Sequence, residues 1–351
     1  MMKIAHVIWS LKAGGSEAML VDIANHQALS DDITIIIGSS IVDQIVLKGL
    51  SDRVKVRIMG RPAGSCNPWY LLKVLYALRT LKPDIVHAHQ ESFIAILRFL
   101  CFRKVLTVHD TNLSPQLAHK YDAVYTISEA VRNVLKRKNP DALSTVISNG
   151  ICFSAVKVKT SYGHLPFRIV QIGRLQHEIK GQDILLNAMK YLIDIIRKGH
   201  VLIDFVGEGP SLEFLEGLSE ELGMAKWCRF IGRQSRGMIY DNLHTYDLLV
   251  QPSRYEGFGL TVVEAMAARV PVLVSNIEGP MEIIAGGEYG YFFKAGDYAD
   301  CSEQVINVMK NSQEVNFPEK LRRNAEYAKS RFDIANTAKK YLEEYRKVIG
   351  D

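Results

Sequence analysis

Two cationic residues, Arg174 and Lys180, lie six positions apart in the sequence, a spacing that suits phosphate binding. Arg174 and Lys180 follow the apolar run Arg168–Ile172, on a loop that reads Gly-Arg-Leu-Gln-His-Glu-Ile-Lys-Gly. Fixed cations at the end of a strand can bind a pyrophosphate and stabilise the charge that develops on a leaving nucleoside diphosphate. A solvated surface pair is the alternative, and the next motif favours the phosphate clamp.

Two glutamates eight residues apart enclose a glycine-containing loop. Glu256 precedes the loop Gly257–Leu260, and Glu264 lies about one turn into an apolar helical pattern. Backbone amides at such a helix N-terminus bind anions. Carboxylates only accept hydrogen bonds, which suits hydroxyl-rich ligands such as a sugar and a ribose. The segment therefore predicts an anion site beside a site for hydroxyl groups.

Two weaker signals lie in the first half of the chain. Gly14 and Gly15 follow a strand-like run and open a helix, where paired glycines admit a ligand close to the backbone or simply form the turn. The loop lacks the G-x-G-x-x-G pattern, which argues against a nicotinamide enzyme. His109 ends another strand-like run, and taken alone it is more simply explained as a core histidine.

Short Val- and Ile-rich runs alternate with helical patterns along the chain. Buried parallel strands joined by helices have this pattern, so the sequence predicts an α/β protein of two doubly wound domains. Ligands of such sheets bind at the carboxyl ends of the strands, which we expect to face a common cleft. The polar stretch Val156–Pro166 is predicted to be the linker, and Phe332–Ile349 one amphipathic helix. The predicted strands are Ile4–Trp9, Ile33–Ile37, Val54–Ile58, Ile85–Ala88, Val105–Val108, Ala123–Thr126, Ser144–Ile147, Arg168–Ile172, Leu202–Val206, Arg229–Ile231, Leu248–Val250, Val272–Val274 and Tyr291–Phe293.

Composition and charge narrow the class of protein. The 351 residues are 48% apolar and 23% charged, as in a globular enzyme of about two domains. The net charge of +5 is concentrated in residues 1–165, which hold 20 Lys or Arg and 12 Asp or Glu. This half is predicted to face an anionic membrane surface or a phosphorylated substrate, or to be simply solvated. No aromatic-basic motif supports a nucleic-acid partner.

Cysteines and apolar runs bear on location. The five cysteines are scattered, without a C-x-x-C pair, which predicts a reducing compartment and no structural zinc. The longest apolar run, Phe93–Phe102, is too short to span a membrane. We expect a cytoplasmic protein, peripheral at the membrane if the helical segments at 67–82 and 93–102 lie on a bilayer rather than cover the sheet.

The cation, glutamate and glycine motifs together resemble those of the retaining glycosyltransferases of family GT4, which have the GT-B fold. The resemblance covers the whole chain and is strongest over 168–293. It implies two Rossmann-like domains, an acceptor-binding domain over 1–155 with the C-terminal helix 332–351 returning to it, and a donor-binding domain over 156–331. It also implies an NDP-sugar donor, UDP- or GDP-linked, with no metal and no other cofactor.

The resemblance further implies a role for each matching residue. Arg174 and Lys180 stabilise the leaving diphosphate, Glu256 lies near the hydroxyls of the donor sugar, and Glu264 binds the ribose. His109 looks like the family histidine that contacts the donor sugar, and these residues other than Glu264 form the predicted catalytic set. The predicted donor-binding residues are Gly14, Gly15, Gly173, Arg233, Gly257, Phe258, Gly259, Leu260, Thr261 and Glu264.

The predicted function is sugar transfer with retention to a glycan or a lipid-linked saccharide, in assembly of capsule, O-antigen, lipopolysaccharide or exopolysaccharide. By analogy with the family, the departing phosphate helps to deprotonate the acceptor hydroxyl on the front face of the sugar. Two alternatives stay open. One is an NDP-sugar epimerase, for which no extra acid–base pair is apparent, and the other is a catalytically silent subunit that binds a nucleotide sugar.

Overall fold

The computed structural model describes residues 1–12, 14–110, 116–198 and 200–350. Its strands are β1 Lys3–Ile8, β2 Asp32–Ser39, β3 Lys55–Arg61, β4 Ile85–Ala88, β5 Arg103–Val108, β6 Ala123–Thr126, β7 Thr145–Val146, β8 Phe167–Ile172, β9 Val201–Val206, β10 Cys228–Gly232, β11 Leu248–Gln251, β12 Val272–Ser275 and β13 Tyr291–Phe293. Its α-helices are α1 Gly15–Gln27, α2 Gln44–Lys48, α3 Trp69–Leu81, α4 Ile94–Leu97, α5 Glu129–Lys138, α6 His177–Lys180, α7 Gln182–Met189, α8 Ile193–Arg197, α9 Leu212–Glu221, α10 Arg236–Asn242, α11 Leu260–Ala267, α12 Glu278–Ile283, α13 Tyr298–Asn311, α14 Phe317–Phe332 and α15 Ile334–Ile349. Each predicted strand is present, and the predicted fold class is confirmed.

The chain divides into two units. The first comprises Met1–Ile151 with Phe332–Asp351, and the second comprises Cys152–Arg331. The division lies close to the predicted boundary at 155, and α15 packs against α1 within the first unit. Tyr341 and Tyr345 on α15 are almost fully buried there, so the last helix belongs to the core of the first unit.

The first unit is built on a parallel sheet of seven strands in the order β3-β2-β1-β4-β5-β6-β7. Its central strands are buried along nearly their whole length, as in β1 and β2, because helices cover both faces. Chain order reverses between β1 and β4, which are neighbours in the sheet. In open α/β sheets, ligands bind beyond the carboxyl ends of the strands at such a switch point.

The second unit repeats this plan with six parallel strands in the order β10-β9-β8-β11-β12-β13. Ile169, Phe205 and Leu248 on three of these strands are buried in one core with Leu185 of α7 and Val305 of α13. The switch point of this sheet lies between β8 and β11, which pair directly. Residues that follow these two strands are therefore placed where a ligand would bind.

Residues 156–166 are not a free linker, contrary to the prediction. Lys159 is 7% exposed, and its Nζ lies 2.9 Å from a carboxylate oxygen of the buried Asp247. Its backbone N–H donates to the carbonyl oxygen of Ala268 at 2.8 Å. The sequence suggested a linker because this stretch lacks an apolar period, but a buried ion pair fixes it to the second unit.

The predicted C-terminal helix over 332–349 is present as α15, which begins at Ile334 and ends at Ile349. One helix ends at Phe332 and the next begins at Ile334. Between them the carboxylate of Asp333 accepts a hydrogen bond from the N–H of Ala335 at 3.0 Å, which is the geometry of a helix N-cap. The helix that Asp333 caps is the one that packs in the first unit.

The two segments proposed to lie on a membrane differ in the structure. Helix α4 has only four residues, and Phe93, Ile94, Ile96 and Leu97 are buried, so this segment packs into the first unit. Helix α3 instead exposes Trp69, Leu72 and Tyr76. Within the described ranges, no helix is both long and apolar enough to cross a bilayer.

Candidate functional site

The predicted catalytic residues of the second unit lie at the carboxyl edge of its sheet, on both sides of the switch point. Arg174 comes two residues after β8, Lys180 ends the short helix α6, and Glu256 follows β11. Arg233 comes directly after β10, at the same edge. Arg174 and Arg233 are exposed. Among the described residues, the side chain of Arg174 makes no hydrogen bond or ion pair.

Lys180 and Glu256 meet directly. The Lys180 Nζ donates to Glu256 Oε2 at 2.6 Å, and both side chains are largely shielded from water. Gln251 Nε2 donates to the same Oε2 at 2.8 Å, and Thr261 Oγ1 donates to Gln251 Oε1 at 3.1 Å. The network joins the end of β11, the following loop and the first turn of α11 to the cation after β8.

A second ion pair supports the loop that carries Glu256. The guanidinium of Arg254 donates to both carboxylate oxygens of Asp183 on α7, each at 2.7 Å, and the Arg254 N–H donates to the carbonyl oxygen of Ile179 at 2.8 Å. The hydrogen bonds that the guanidinium of Arg254 donates to Asp183 raise the pKa of Arg254. A bidentate pair of this kind fixes geometry as well as charge. The loop before Glu256 is thereby fixed to the segment that carries Lys180.

Gly181 permits this close approach. Its φ is +67°, and a Cβ at this position would lie 1.9 Å from the carbonyl oxygen of Pro252. Only glycine fits here, because the backbone is left-handed and there is no room for a Cβ atom. The Lys-Gly pair of the sequence motif therefore combines the cation with the residue that lets its segment reach the glutamate loop.

The predicted anion-binding loop ends in the helix α11. Phe258 is 2% exposed and anchors the loop in the core, and Gly259 adopts a φ of +114° immediately before the helix. Glu264 is 5% exposed, and one of its carboxylate oxygens lies 3.4 Å from Nε of Arg236 on α10. Arg236 also lies over the ring of Tyr240. Glu264 is thus a buried carboxylate with a cation beside it.

The glycine pair of the first unit lies at the start of α1, the helix that follows β1. Gly14 is extended, with a φ of −157°, so its conformation does not require glycine. A Cβ there would meet Glu17 Oε2 at 2.5 Å, at the end of a flexible side chain. Gly14 and Gly15 are both exposed. The first-turn amides of a 13-residue helix therefore lie at the carboxyl edge of the first sheet.

His109, which follows β5, is the end of a hydrogen-bonded chain of histidines that the sequence did not predict. Its Nε2 lies 2.9 Å from Nδ1 of His89, whose Nε2 lies 3.1 Å from Nδ1 of His6. The His6 Nε2 lies 2.8 Å from Oε1 of Gln27 on α1. Burial lowers the pKa of His6 and His109 to about 4 and that of His89 well below 6.5.

A fourth histidine, His87, is connected to the last helix. Its Nδ1 lies 2.6 Å from the hydroxyl of Tyr345, and its Nε2 lies 2.7 Å from Oγ1 of Thr107. The Thr107 oxygen is 3.1 Å from the hydroxyl of Tyr341. The sequence signal for this cluster was the pattern His87-x-His89, because alternate residues of a strand share a face and His6 pairs with His87 across β1 and β4.

Three of these histidines also form a possible donor set for a metal ion. The ring nitrogens of His6, His87 and His89 offer ligand atoms within 4.8 Å of one another. Each of their nitrogens already has a hydrogen-bond partner. The rings of His87 and His89 are stacked at 4.4 Å and 29°, which directs their lone pairs side by side rather than to one point. The geometry is that of a hydrogen-bonded cluster.

Comparison with known proteins matches each part of the chain to a glycosyltransferase family model. The model of the family "Glycosyl transferases group 1" matches residues 159–331, and that of "Glycosyltransferase Family 4" matches residues 13–154. Anabaena HepE, solved with UDP and glucose, has a TM-score of 0.84 at 20% identity and covers 98% of this chain and 99% of its own. At that identity the likeness concerns the fold.

Two sequence relatives belong to different pathways. Glycogen synthase of Mycobacterium tuberculosis is 29% identical over 269 residues, which are 68% of this chain and 63% of that protein. The lipopolysaccharide core biosynthesis mannosyltransferase LpsB of Rhizobium meliloti is 31% identical over 201 residues, or 53% of this chain and 55% of its own. The matched regions therefore span less than two thirds of either relative. With the two family matches and the fold in agreement, the chain belongs to the GT4-type glycosyltransferases of the GT-B fold.

Proposed function

We propose that the chain transfers a sugar, with retention of anomeric configuration, from a nucleoside diphosphate sugar to a saccharide acceptor. The observation that carries the proposal is the contact of Lys180 with Glu256 at the switch point of the second sheet, 2.6 Å between Nζ and Oε2. A cation for the diphosphate and an acceptor for sugar hydroxyls stand side by side there. A nucleoside diphosphate sugar carries its diphosphate and its sugar hydroxyls next to each other.

Binding of the donor rearranges this pair. The diphosphate carries more negative charge than one carboxylate, so Lys180 exchanges Glu256 for the phosphate oxygens. Glu256, still held by Gln251, is then available to accept hydrogen bonds from sugar hydroxyls. The exposed guanidinium of Arg174 supplies the second cation. Neither cation depends on a bound metal in this account.

The nucleoside is assigned to the segment around Glu264. A buried carboxylate can accept hydrogen bonds from the two hydroxyls of a ribose, and the guanidinium of Arg236 lies beside it. The amides of Gly257–Thr261 and the N-terminus of α11 bind phosphate oxygens. The proposed donor is a UDP- or GDP-sugar. Anabaena HepE, which has this fold, was solved with UDP-glucose, and this supports the UDP-linked choice.

The chemical step develops positive charge on the sugar and negative charge on the leaving phosphate oxygen. Arg174 and Lys180 stabilise that oxygen more strongly in the transition state than before it, which accelerates the step. We assign removal of the acceptor proton to the departing phosphate on the front face of the sugar. Trapping a sugar covalently bound to the protein would contradict this assignment.

The proposed acceptor is a glycan or lipid-linked saccharide of a cell-surface polysaccharide, used at the cytoplasmic face of a membrane. Support comes from the basic first half of the chain, from the exposed aromatic side chains of α3 and from the similarity to LpsB. Trp69, Leu72 and Tyr76 lie on one stripe of α3 because they are three and four residues apart. Lys73 and Arg79 flank that stripe.

A panel of UDP-, GDP-, ADP- and dTDP-sugars tests the proposal. The purified chain is screened for thermal stabilisation, and mass spectrometry follows release of sugar and nucleoside diphosphate. We expect one donor to raise the melting temperature and to be hydrolysed slowly without an acceptor. Stabilisation with release of an isomeric nucleotide sugar would indicate an epimerase instead, and stabilisation without any turnover would indicate a silent binding subunit.

A further inference from the structure

The histidine chain of the first unit has one acceptor at its inner end. Gln27, His6 and His89 are at most 3% exposed, so no water competes for their hydrogen bonds. The contacts run from Gln27 Oε1 to His6, His89 and His109 at 2.8, 3.1 and 2.9 Å. Burial keeps the three imidazoles neutral at pH 7, and a neutral imidazole carries one N–H and one bare nitrogen.

The position of each proton then follows from the glutamine oxygen, which can only accept. His6 donates to it from Nε2–H and is bare at Nδ1. His89 donates from Nε2–H to that nitrogen and is bare at Nδ1 in turn. His109 donates from Nε2–H to His89, so its own bare nitrogen is Nδ1. The hydrogen bonds of the histidine chain would run in the opposite direction only if the amide nitrogen of Gln27 faced His6.

The outer end of the histidine chain is Nδ1 of His109. Nδ1 of His109 is buried and has no hydrogen-bond partner among the described residues. An unsatisfied buried nitrogen is unfavourable, and a ligand that donates a hydrogen bond to it removes that cost. The family resemblance suggested only that this histidine contacts the sugar, without saying which nitrogen does so or whether it donates or accepts.

We propose that Gln27, His6 and His89 are positioning residues that hold His109 as the tautomer protonated on Nε2, and that Nδ1 of His109 is thereby kept as an acceptor for a hydroxyl of a saccharide ligand. This rests on the proposed function for its ligand, whereas the tautomer itself does not. The histidine chain therefore selects for a hydroxyl beside Nδ1 of His109, because a ligand group that can only accept hydrogen bonds would face a bare nitrogen there.

The tautomer is measured on protein labelled with ¹⁵N in histidine, without any ligand, at pH 7. Long-range ¹H–¹⁵N correlations, assigned with a His109→Gln variant, are expected to show His109 protonated on Nε2 and bare on Nδ1. In Gln27→Met, where the inner acceptor is lost, the His109 signals should move toward a mixture of tautomers. His26→Gln on the same helix is the matched control and should leave them unchanged.

A wild-type His109 protonated on Nδ1, or a mixture of tautomers, would overturn the proposal whether or not Gln27→Met folds and whether or not the chain transfers sugar. With a turned-over donor, Gln27→Met is expected to lower kcat by roughly tenfold while the Kd for UDP changes less than twofold. Equal losses in UDP binding and in kcat would show that Gln27 serves only the structure. A correct tautomer with no donor turnover would contradict the proposed function alone.

Discussion

Lys180 is the residue on which the proposed chemistry depends most. Removing one group that stabilises a developing charge lowers turnover by about 10²–10³. We therefore expect Lys180→Ala to lower kcat/KM by at least about 10². Little change in the free energy of unfolding is expected, because Glu256 keeps its hydrogen bond from Gln251. Steady-state kinetics and chemical denaturation measure the two quantities.

The control for this substitution is Lys190→Ala, which removes an exposed lysine shortly after α7. It should leave both kcat/KM and stability unchanged. Unchanged turnover in Lys180→Ala would remove the cation from the mechanism, even if the donor still bound.

Residues of the site were predictable only where they belong to a motif of residues close together in the sequence. Lys180 and Glu256 were recognised from local motifs. Gln251, which holds Glu256, ends the strand before the glutamate loop, and Arg236, which lies beside Glu264, belongs to another helix. Neither residue is part of a recognised motif. The histidine chain was missed for the same reason, since His6 and His89 are 83 positions apart and meet only through the pairing of β1 with β4.

At the scale of elements, the turn between α6 and α7 determines whether the cation reaches the glutamate. In Gly181→Ala the added Cβ would lie 1.9 Å from the carbonyl oxygen of Pro252, in a backbone with φ of +67°. We expect a loss of about 2 kcal/mol or more in the free energy of unfolding, together with loss of donor turnover.

Gly217→Ala is the matched control, because this glycine lies within α9 with no heavy atom near the added Cβ. There alanine should raise the free energy of unfolding by about 0.5–1 kcal/mol and leave turnover unchanged. The close approach of the two segments would be refuted by urea denaturation curves that show Gly181→Ala to be as stable as Gly217→Ala.

Helix α3 is predicted to bind anionic membranes. Its exposed stripe of Trp69, Leu72 and Tyr76 provides apolar contact, and Lys73 and Arg79 provide charge worth about 1 kcal/mol each near an anionic surface. Lys73→Gln with Arg79→Gln should weaken partition into phosphatidylglycerol vesicles by about 30-fold in a sedimentation assay.

The control pair for α3 is Lys198→Gln with Lys226→Gln, two exposed lysines of the second unit. This pair should leave partition unchanged. Equal partition of both pairs, or binding that does not weaken as salt is raised, would count against an electrostatic contact through α3.

The strands were predictable because most are short runs rich in Val and Ile, and such runs are typical of strands in a sheet covered on both faces. The errors arose where polar residues do structural work. Lys159 looked like part of a linker until its buried ion pair with Asp247 was known. The predicted start of the C-terminal helix at Phe332 was slightly early, because Asp333 caps the helix that begins at Ile334.

At the scale of the whole molecule, the buried histidines make the first unit sensitive to acid. His6 and His109 have a pKa of about 4 in the folded chain and an ordinary value of 6.5. Between these values the unfolded chain binds more protons, so the free energy of unfolding rises with pH. The contribution of these histidines to the free energy of unfolding is fully present above about pH 6.5 and is lost as the pH falls toward 4. For His6 the loss is on the order of 3 kcal/mol.

Hydrogen exchange at pH 7 and pH 5, corrected for intrinsic rates, measures this loss in the peptides of β1 and β4. In His6→Met the decline in stability between these pH values should be shallower, even if the variant is less stable at pH 7. The exposed His200→Gln in the second unit should leave the slope unchanged. A slope in His6→Met equal to that of the wild type would contradict the assignment.

Sugar transfer with retention is the central claim, and NMR of the turned-over donor tests it most directly. The anomeric proton of the sugar product, read before mutarotation, should show the same configuration as in the donor, with equimolar nucleoside diphosphate released. In Lys180→Ala both signals should appear at least about 10²-fold more slowly. Inverted configuration, or a donor left intact by the wild-type chain with its acceptor present, would contradict the account.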